Sequence, residues 1–127
     1  MRALNRIPAT RIVATPSALE AAPWPDGSLV LPIAPDEVLV IPPLSANPVT
    51  DPHAIVVAEG GFAGLWLTVE EAQPLLERHC EWELPNERPA FAQGMIAGIA
   101  AKVWFEQDRV LFLVPAPFAI EFEERLS

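Results

Sequence analysis

Cys80 and His79 are the first residues whose types suggest chemistry, since a thiol beside an imidazole is the raw material of an activated nucleophile. Their spacing argues against it. Adjacent residues on a helix point roughly 100° apart and do not face each other. Cys80 also continues the apolar helical face of Val69, Ala72, Leu75 and Leu76. The reading is therefore a buried structural thiol, with reactivity as the alternative. His79 lies near the end of the same helix, where the dipole favours a cation, and reads as a capping residue. His53, the only other histidine, stands at a strand start. Two histidines and one cysteine form no spaced set resembling a zinc or iron site. Glu70-Glu71 and Glu123-Glu124 read as solvated helix surface. Gly60-Gly61-Phe62-Ala63-Gly64 is glycine-rich, but it precedes a strand and lacks the lysine of a phosphate-binding loop. No catalytic, cofactor-binding or metal-binding residue is assigned.

Composition narrows the partners. With 127 residues, 51% apolar and 20% charged, the chain has the make-up of a folded domain with a real core. A net charge of -9 disfavours nucleic-acid backbones and anionic membranes. The single cysteine excludes an internal disulfide. The most apolar stretch, residues 89–101, is too short to span a bilayer as a helix. The N-terminal residues lack the apolar run of a secretory signal. A cytoplasmic location is expected.

What remains is surface. Trp66 shares a strand face with Phe62 and Gly64. Trp104 shares one with Lys102 and Glu106, opposite the apolar face of Ala101, Val103 and Phe105. A tryptophan so placed sits under a covering loop or at an interface, where tryptophan is enriched. Arg2, Arg6 and Arg11 precede the first acid, Glu20, so a short basic arm leads an acidic body. The arm reads as a solvated terminus, or as a segment that packs on the body or a partner. Trp66, Trp104, Arg2, Arg6 and Arg11 are the interface candidates.

The elements that position these residues follow from the punctuation of 15 prolines. Residues 1–27 read as the basic arm and an irregular linker, and residues 28–127 as a single α+β domain. Residues 28–33 and 37–41 read as strands joined at Ala34-Pro35-Asp36, with Pro32 marking an edge. Residues 54–58 and 62–67 read as strands around a hairpin-type signal at Glu59-Gly60-Gly61. Thr68 and Glu71 have capping-box spacing and open a helix, which Pro74 either kinks or restarts. Residues 81–95 read as mostly irregular, and 96–105 as one long strand. Gln107-Asp108 turns into Arg109–Val114, apolar on both faces and so central or doubly covered. A last helix buries Phe118, Phe122 and Leu126, with a Glu121–Arg125 pair on its surface. The expected fold is α+β: an antiparallel sheet with helices packed on one face.

Several of these segments together resemble a known family. They are Asp51-Pro-His-Ala-Ile-Val-Val, the helix ending in His79-Cys80-Glu81-Trp82-Glu83-Leu84, Val110-Leu-Phe-Leu-Val114 and Phe118-Ala119. The earlier Ile33-Ala-Pro-Asp-Glu-Val-Leu-Val40 belongs with them. Over residues 28–126 the chain resembles the gamma subunit of heterotetrameric sarcosine oxidase. It departs from that pattern at Glu81-Trp82, where Pro-Leu is common, and at Pro117, which replaces a capping serine. The resemblance implies a fold like the folate-binding domain of aminomethyltransferases. It also implies a non-catalytic accessory role in sarcosine and one-carbon metabolism. Flavin and folate would belong to larger oxidase-like partner subunits, and this chain would hold no cofactor. A homo-oligomer, or a stand-alone folate-like binding domain, is the alternative.

Overall fold

The computed structural model describes residues 3–127. In chain order the elements are β1 (Asn5–Arg6), β2 (Ala9–Val13), α1 (Pro16–Ala21), β3 (Leu29–Ala34), β4 (Glu37–Ile41), β5 (Ile55–Glu59), β6 (Phe62–Thr68), α2 (Val69–His79), β7 (Ala90–Ile96), β8 (Ile99–Phe105), β9 (Arg109–Pro115) and α3 (Ala119–Leu126). A 3-10 turn, Ala116–Phe118, leads into α3. The protein is α+β, with two antiparallel sheets and few helices. The chain divides into two compact units, a larger one of residues 3–6 and Gly61–Ser127, and a smaller one of Ile7–Gly60.

The larger unit holds a five-stranded sheet in the order β1-β6-β9-β8-β7. Alternation selects its core face. Leu65 and Leu67 of β6, Val103 and Phe105 of β8, and Val110, Phe112 and Val114 of β9 point the same way. Ala72 and Leu76 of α2 and Phe122 and Leu126 of α3 cover them. The Phe112 and Phe122 rings meet at 6.5 Å with planes tilted by 47°, an arrangement that suits the aromatic quadrupole. β9 is central, and its residues from Val110 to Val114 are all buried, as its two-sided apolarity requires.

α2 starts where the capping box predicts. The Thr68 hydroxyl accepts from Glu71 N–H at 3.1 Å, and the Glu71 carboxylate accepts from Thr68 N–H at 2.9 Å. The helix runs on through Pro74 to His79 without restarting. Its first turn carries Glu70 and Glu71 and its last Arg78 and His79, matching the helix dipole at both ends.

The smaller unit holds a four-stranded sheet in the order β3-β4-β2-β5. Ile12, Val38 and Val40 pack with Leu19 of α1 and with Val49. Thr15 caps α1 by accepting from Ala18 N–H at 3.3 Å. β3 is an edge, and its pairing with β4 shifts register just after Pro32, as the proline foretold.

Four expectations are corrected. Residues 9–13, taken as arm and irregular linker, form β2, which lies between β4 and β5; Pro8 and Pro16 bound this strand rather than break it. The signal at Glu59-Gly60-Gly61 is not a hairpin, because β5 pairs with β2 while β6 pairs with β1 and β9. A two-residue type I′ hairpin needs positive φ at both central residues, and neither Gly60 nor Gly61 has it. The strand read over 96–105 starts only at Ile99, as β8, and the residues before it, read as mostly irregular over 81–95, supply β7, which pairs antiparallel with β8. Ala97 at φ 51° and Gly98 at φ 77° make the turn. Finally, Phe118 is exposed, because it belongs to the 3-10 turn and falls out of the helical period that buries Phe122 and Leu126.

Candidate functional site

The two candidate tryptophans come together through strand register. Trp66 on β6 and Trp104 on β8 both lie opposite Leu111 of β9, so they flank it on the sheet face away from α2 and α3. Polar groups knit them in place. Trp104 Nε1–H donates to Glu106 at 2.8 Å, and Arg109 Nε–H donates to the same carboxylate at 2.7 Å. The Arg109 guanidinium lies 3.7 Å from the centroid of the Trp66 ring, a cation–π stack. Burial opposes ionisation of Glu106, but the hydrogen bonds from Arg109 and Trp104 and the Arg109 charge outweigh it, so its pKa is lowered. Both indoles are half-buried.

The basic residues are dispersed. Arg2 lies outside the described residues. Arg6 is exposed on β1, opposite Ala63 of β6. Arg11 sits in β2 and forms ion pairs with Glu37 of β4 and with Glu59 of β5, the latter at 3.8 Å. The hydrogen bond to Glu37 is the main cause of its raised pKa. Arg11 thus clamps three strands of one sheet.

The four sheet edges differ sharply. β1 is only two residues long. β3 carries Pro32 and a register shift. β7 is engaged by Trp82, whose indole N–H donates to Met95 C=O at 2.8 Å. Gly94 makes room for that ring, because a Cβ there would sit 2.6 Å from it. Along residues 55–58, β5 shows no such device among the described residues. Ile55, Val56 and Val57 are 59%, 41% and 46% exposed on both faces of the strand. Natural edges are blunted by proline, lysine or bulges, and the sequence Ile-Val-Val-Ala-Glu contains neither proline nor lysine.

A cleft of about 460 Å³ lies in the larger unit between α2 and residues 80–88. Val69, Ala72 and Leu76 form its helical wall, and Trp82, Leu84 and Phe105 line it as well. Gln73, Glu77, Asn86 and Arg88 supply its polar atoms. Cys80 also lines it. The thiol points to Trp82 C=O at 3.5 Å, and burial pushes its pKa up. A raised thiol is a weak nucleophile, but Cys80 is half-buried at the cleft wall rather than buried as expected. His79 keeps Nε2 buried without a partner among the described residues. Its carbonyl accepts from Ala97 N–H at 3.0 Å and ties α2 to the β7–β8 turn.

Sequence reasoning missed the cleft because the segment after α2 has no periodic pattern to show that it folds back beside the helix, over Phe105 and Val110 of the sheet. The one available signal was Arg88, a cation standing at the start of the long uncharged run. Among the described residues no group of histidine, cysteine and acidic side chains is placed to hold a metal ion. No helix is long and apolar enough to cross a membrane. No protein-family model matches the chain, and no curated protein matches it.

Proposed function

We propose that the protein is a non-catalytic accessory or assembly subunit, similar to the gamma subunit of sarcosine oxidase, acting in the cytoplasm beside larger oxidase-like chains. The observation that carries this reading is β5. An unblunted edge strand presents a row of backbone donors and acceptors, and its apolar side chains add area that pairing would bury. A partner strand added there extends the four-stranded sheet. Trp66 and Trp104 are the second candidate surface. The resemblance over residues 28–126 supplies the class of partner and a fold related to folate-binding domains. The flavin and folate then belong to the partner.

The test is a tagged pull-down from the native host with protein identification and an absorbance scan for flavin. A yellow eluate containing larger oxidase-like chains is expected. Val57→Lys, which places a charge on the strand without touching either core, should lose those chains while the protein stays folded. A colourless eluate holding only this chain would overturn the assignment.

A second reading is a small-molecule-binding domain, alone or as a homodimer, with the folate-like ligand class that the resemblance suggests. The cleft beside α2 favours it, since its volume lies in the range of small-ligand sites. Tetrahydrofolate titration with a thermal-shift readout tests the ligand, and no shift at millimolar ligand would remove it.

A further inference from the structure

We propose that the cleft beside α2 binds a small carboxylic acid with an aromatic or branched apolar body, its carboxylate seated on Arg88. This deepens the small-molecule reading by naming the ligand's chemistry, and it is independent of the assembly role.

Arg88 is held in place by a ring and two carbonyls. Its guanidinium lies 4.7 Å from the centroid of the Phe105 ring, and that ring is only 1% exposed. Nη1 is already committed, donating to Pro85 C=O at 2.8 Å and to Glu87 C=O at 2.7 Å. These contacts fix the plane of the fork. They leave Nε–H and the two Nη2–H groups with no acceptor among the described residues. That open side matters, because Nε–H and one Nη2–H are parallel donors spaced to take both oxygens of a carboxylate.

Arg88 also differs from three other arginines. Arg11, Arg109 and Arg125 each pair with a carboxylate of this chain. Arg88, half-buried in the wall of a cleft, pairs with none among the described residues. In a chain of net charge -9, an arginine held in place by carbonyls and a ring is a local departure from the surrounding field. The rest of the lining is apolar, with Ala72, Leu76 and Phe105 buried behind the wall and Leu84 half-buried, and so suits an apolar body. Glu77 lines the same cleft, but it is exposed and accepts from Gln73 Nε2 at 3.1 Å, so solvent screens its repulsion.

Cys80 gives the experiment a built-in reporter, because it lines the cleft and is the only cysteine. The full chain is titrated with 1-naphthylacetate and with neutral 1-naphthylacetamide by calorimetry. In parallel, the rate of Cys80 alkylation by iodoacetamide is followed by mass spectrometry with each compound present. The acid should bind and slow alkylation, and the amide should bind about tenfold more weakly or less, the scale of a charge-assisted pair. Arg88→Gln should bring the acid down to the level of the amide. The acid–amide comparison on the unaltered chain does not depend on whether that variant holds its loop. Equal binding and equal protection by acid and amide would overturn the carboxylate assignment and leave the cleft as a ligand site. No binding and no protection by either at millimolar concentration would overturn both.

Discussion

The two units solve the same problem, burying one face of an antiparallel sheet, with different completeness. In the larger unit α2 and α3 together cover β6, β8 and β9, and the central strand is buried along its length. In the smaller unit one six-residue helix covers a smaller set of residues, and β5 is left with its apolar side chains in solvent. The difference teaches where stability and recognition reside. A sealed core leaves little surface for a partner to complete, whereas an open apolar edge gains from being covered. The larger unit, in turn, holds a cleft beside α2.

Substitutions in each region should separate the sealed core from the open edge. Phe112→Ala removes a ring that is 2% exposed and packed on Phe122, and should cost about 3–5 kcal/mol in urea unfolding. Val57→Lys should cost about 1 kcal/mol or less, because the side chain is half exposed and the new charge stands opposite Arg11 on β2. If Val57→Lys unfolds the protein, β5 is part of a buried structure and the edge-strand proposal fails.

A finer contrast lies in the two helix caps. Thr68 and Glu71 satisfy each other's backbone N–H groups at the start of an eleven-residue helix. Thr15 makes one longer bond, at 3.3 Å, to a six-residue helix that has no acidic residue in its first turn. Thr68→Ala should therefore cost about 1 kcal/mol, and Thr15→Ala clearly less, by the same urea measurement. Equal losses would mean that reciprocal capping adds nothing here.

The pattern of what was legible in the sequence follows range. Local chemistry could be read directly: the Thr68–Glu71 box, the Pro32 edge, the Glu121–Arg125 pair and the two-sided apolarity of β9 all appear where their residue types demand. Ala97-Gly98 hid a hairpin because alanine rarely takes positive φ, so nothing in its type announces the turn. Gly60-Gly61 announced a turn that does not exist, because two glycines allow a primed turn without requiring one. β2 was concealed by its flanking prolines. The facing of Trp66 and Trp104 followed from alternation, but their approach across Leu111 needed the strand register. The meeting of Arg88 with Phe105 crosses 17 residues of chain and two elements, so no local pattern encodes it.

The two units also differ in how they hold a carboxylate, which shows in the pH dependence of stability. Glu106 is held below its ordinary pKa because Arg109 and Trp104 outweigh the burial that opposes ionisation. Asp51 is held low by the N–H groups of His53 and Thr15, at 2.9 and 3.0 Å. In both cases the folded chain binds its proton less readily than the unfolded chain does. Each contribution is therefore fully present above the unfolded pKa, near pH 4, and is lost as pH falls through the lower folded value. Glu106→Gln should lower stability at pH 7 by about 1 kcal/mol or less, since Arg109 is half exposed. That difference should close as the pH drops below about 4. Asp51→Asn should show the same sign with a smaller amplitude, because both hydrogen bonds to Asp51 lie where solvent reaches them. Urea unfolding of both variants from pH 7 to pH 3 provides the readout. A Glu106→Gln difference that persists at the acid end would mean that the residue acts through packing of Trp104 rather than through its charge, and the polar clasp around the two tryptophans would lose its electrostatic basis.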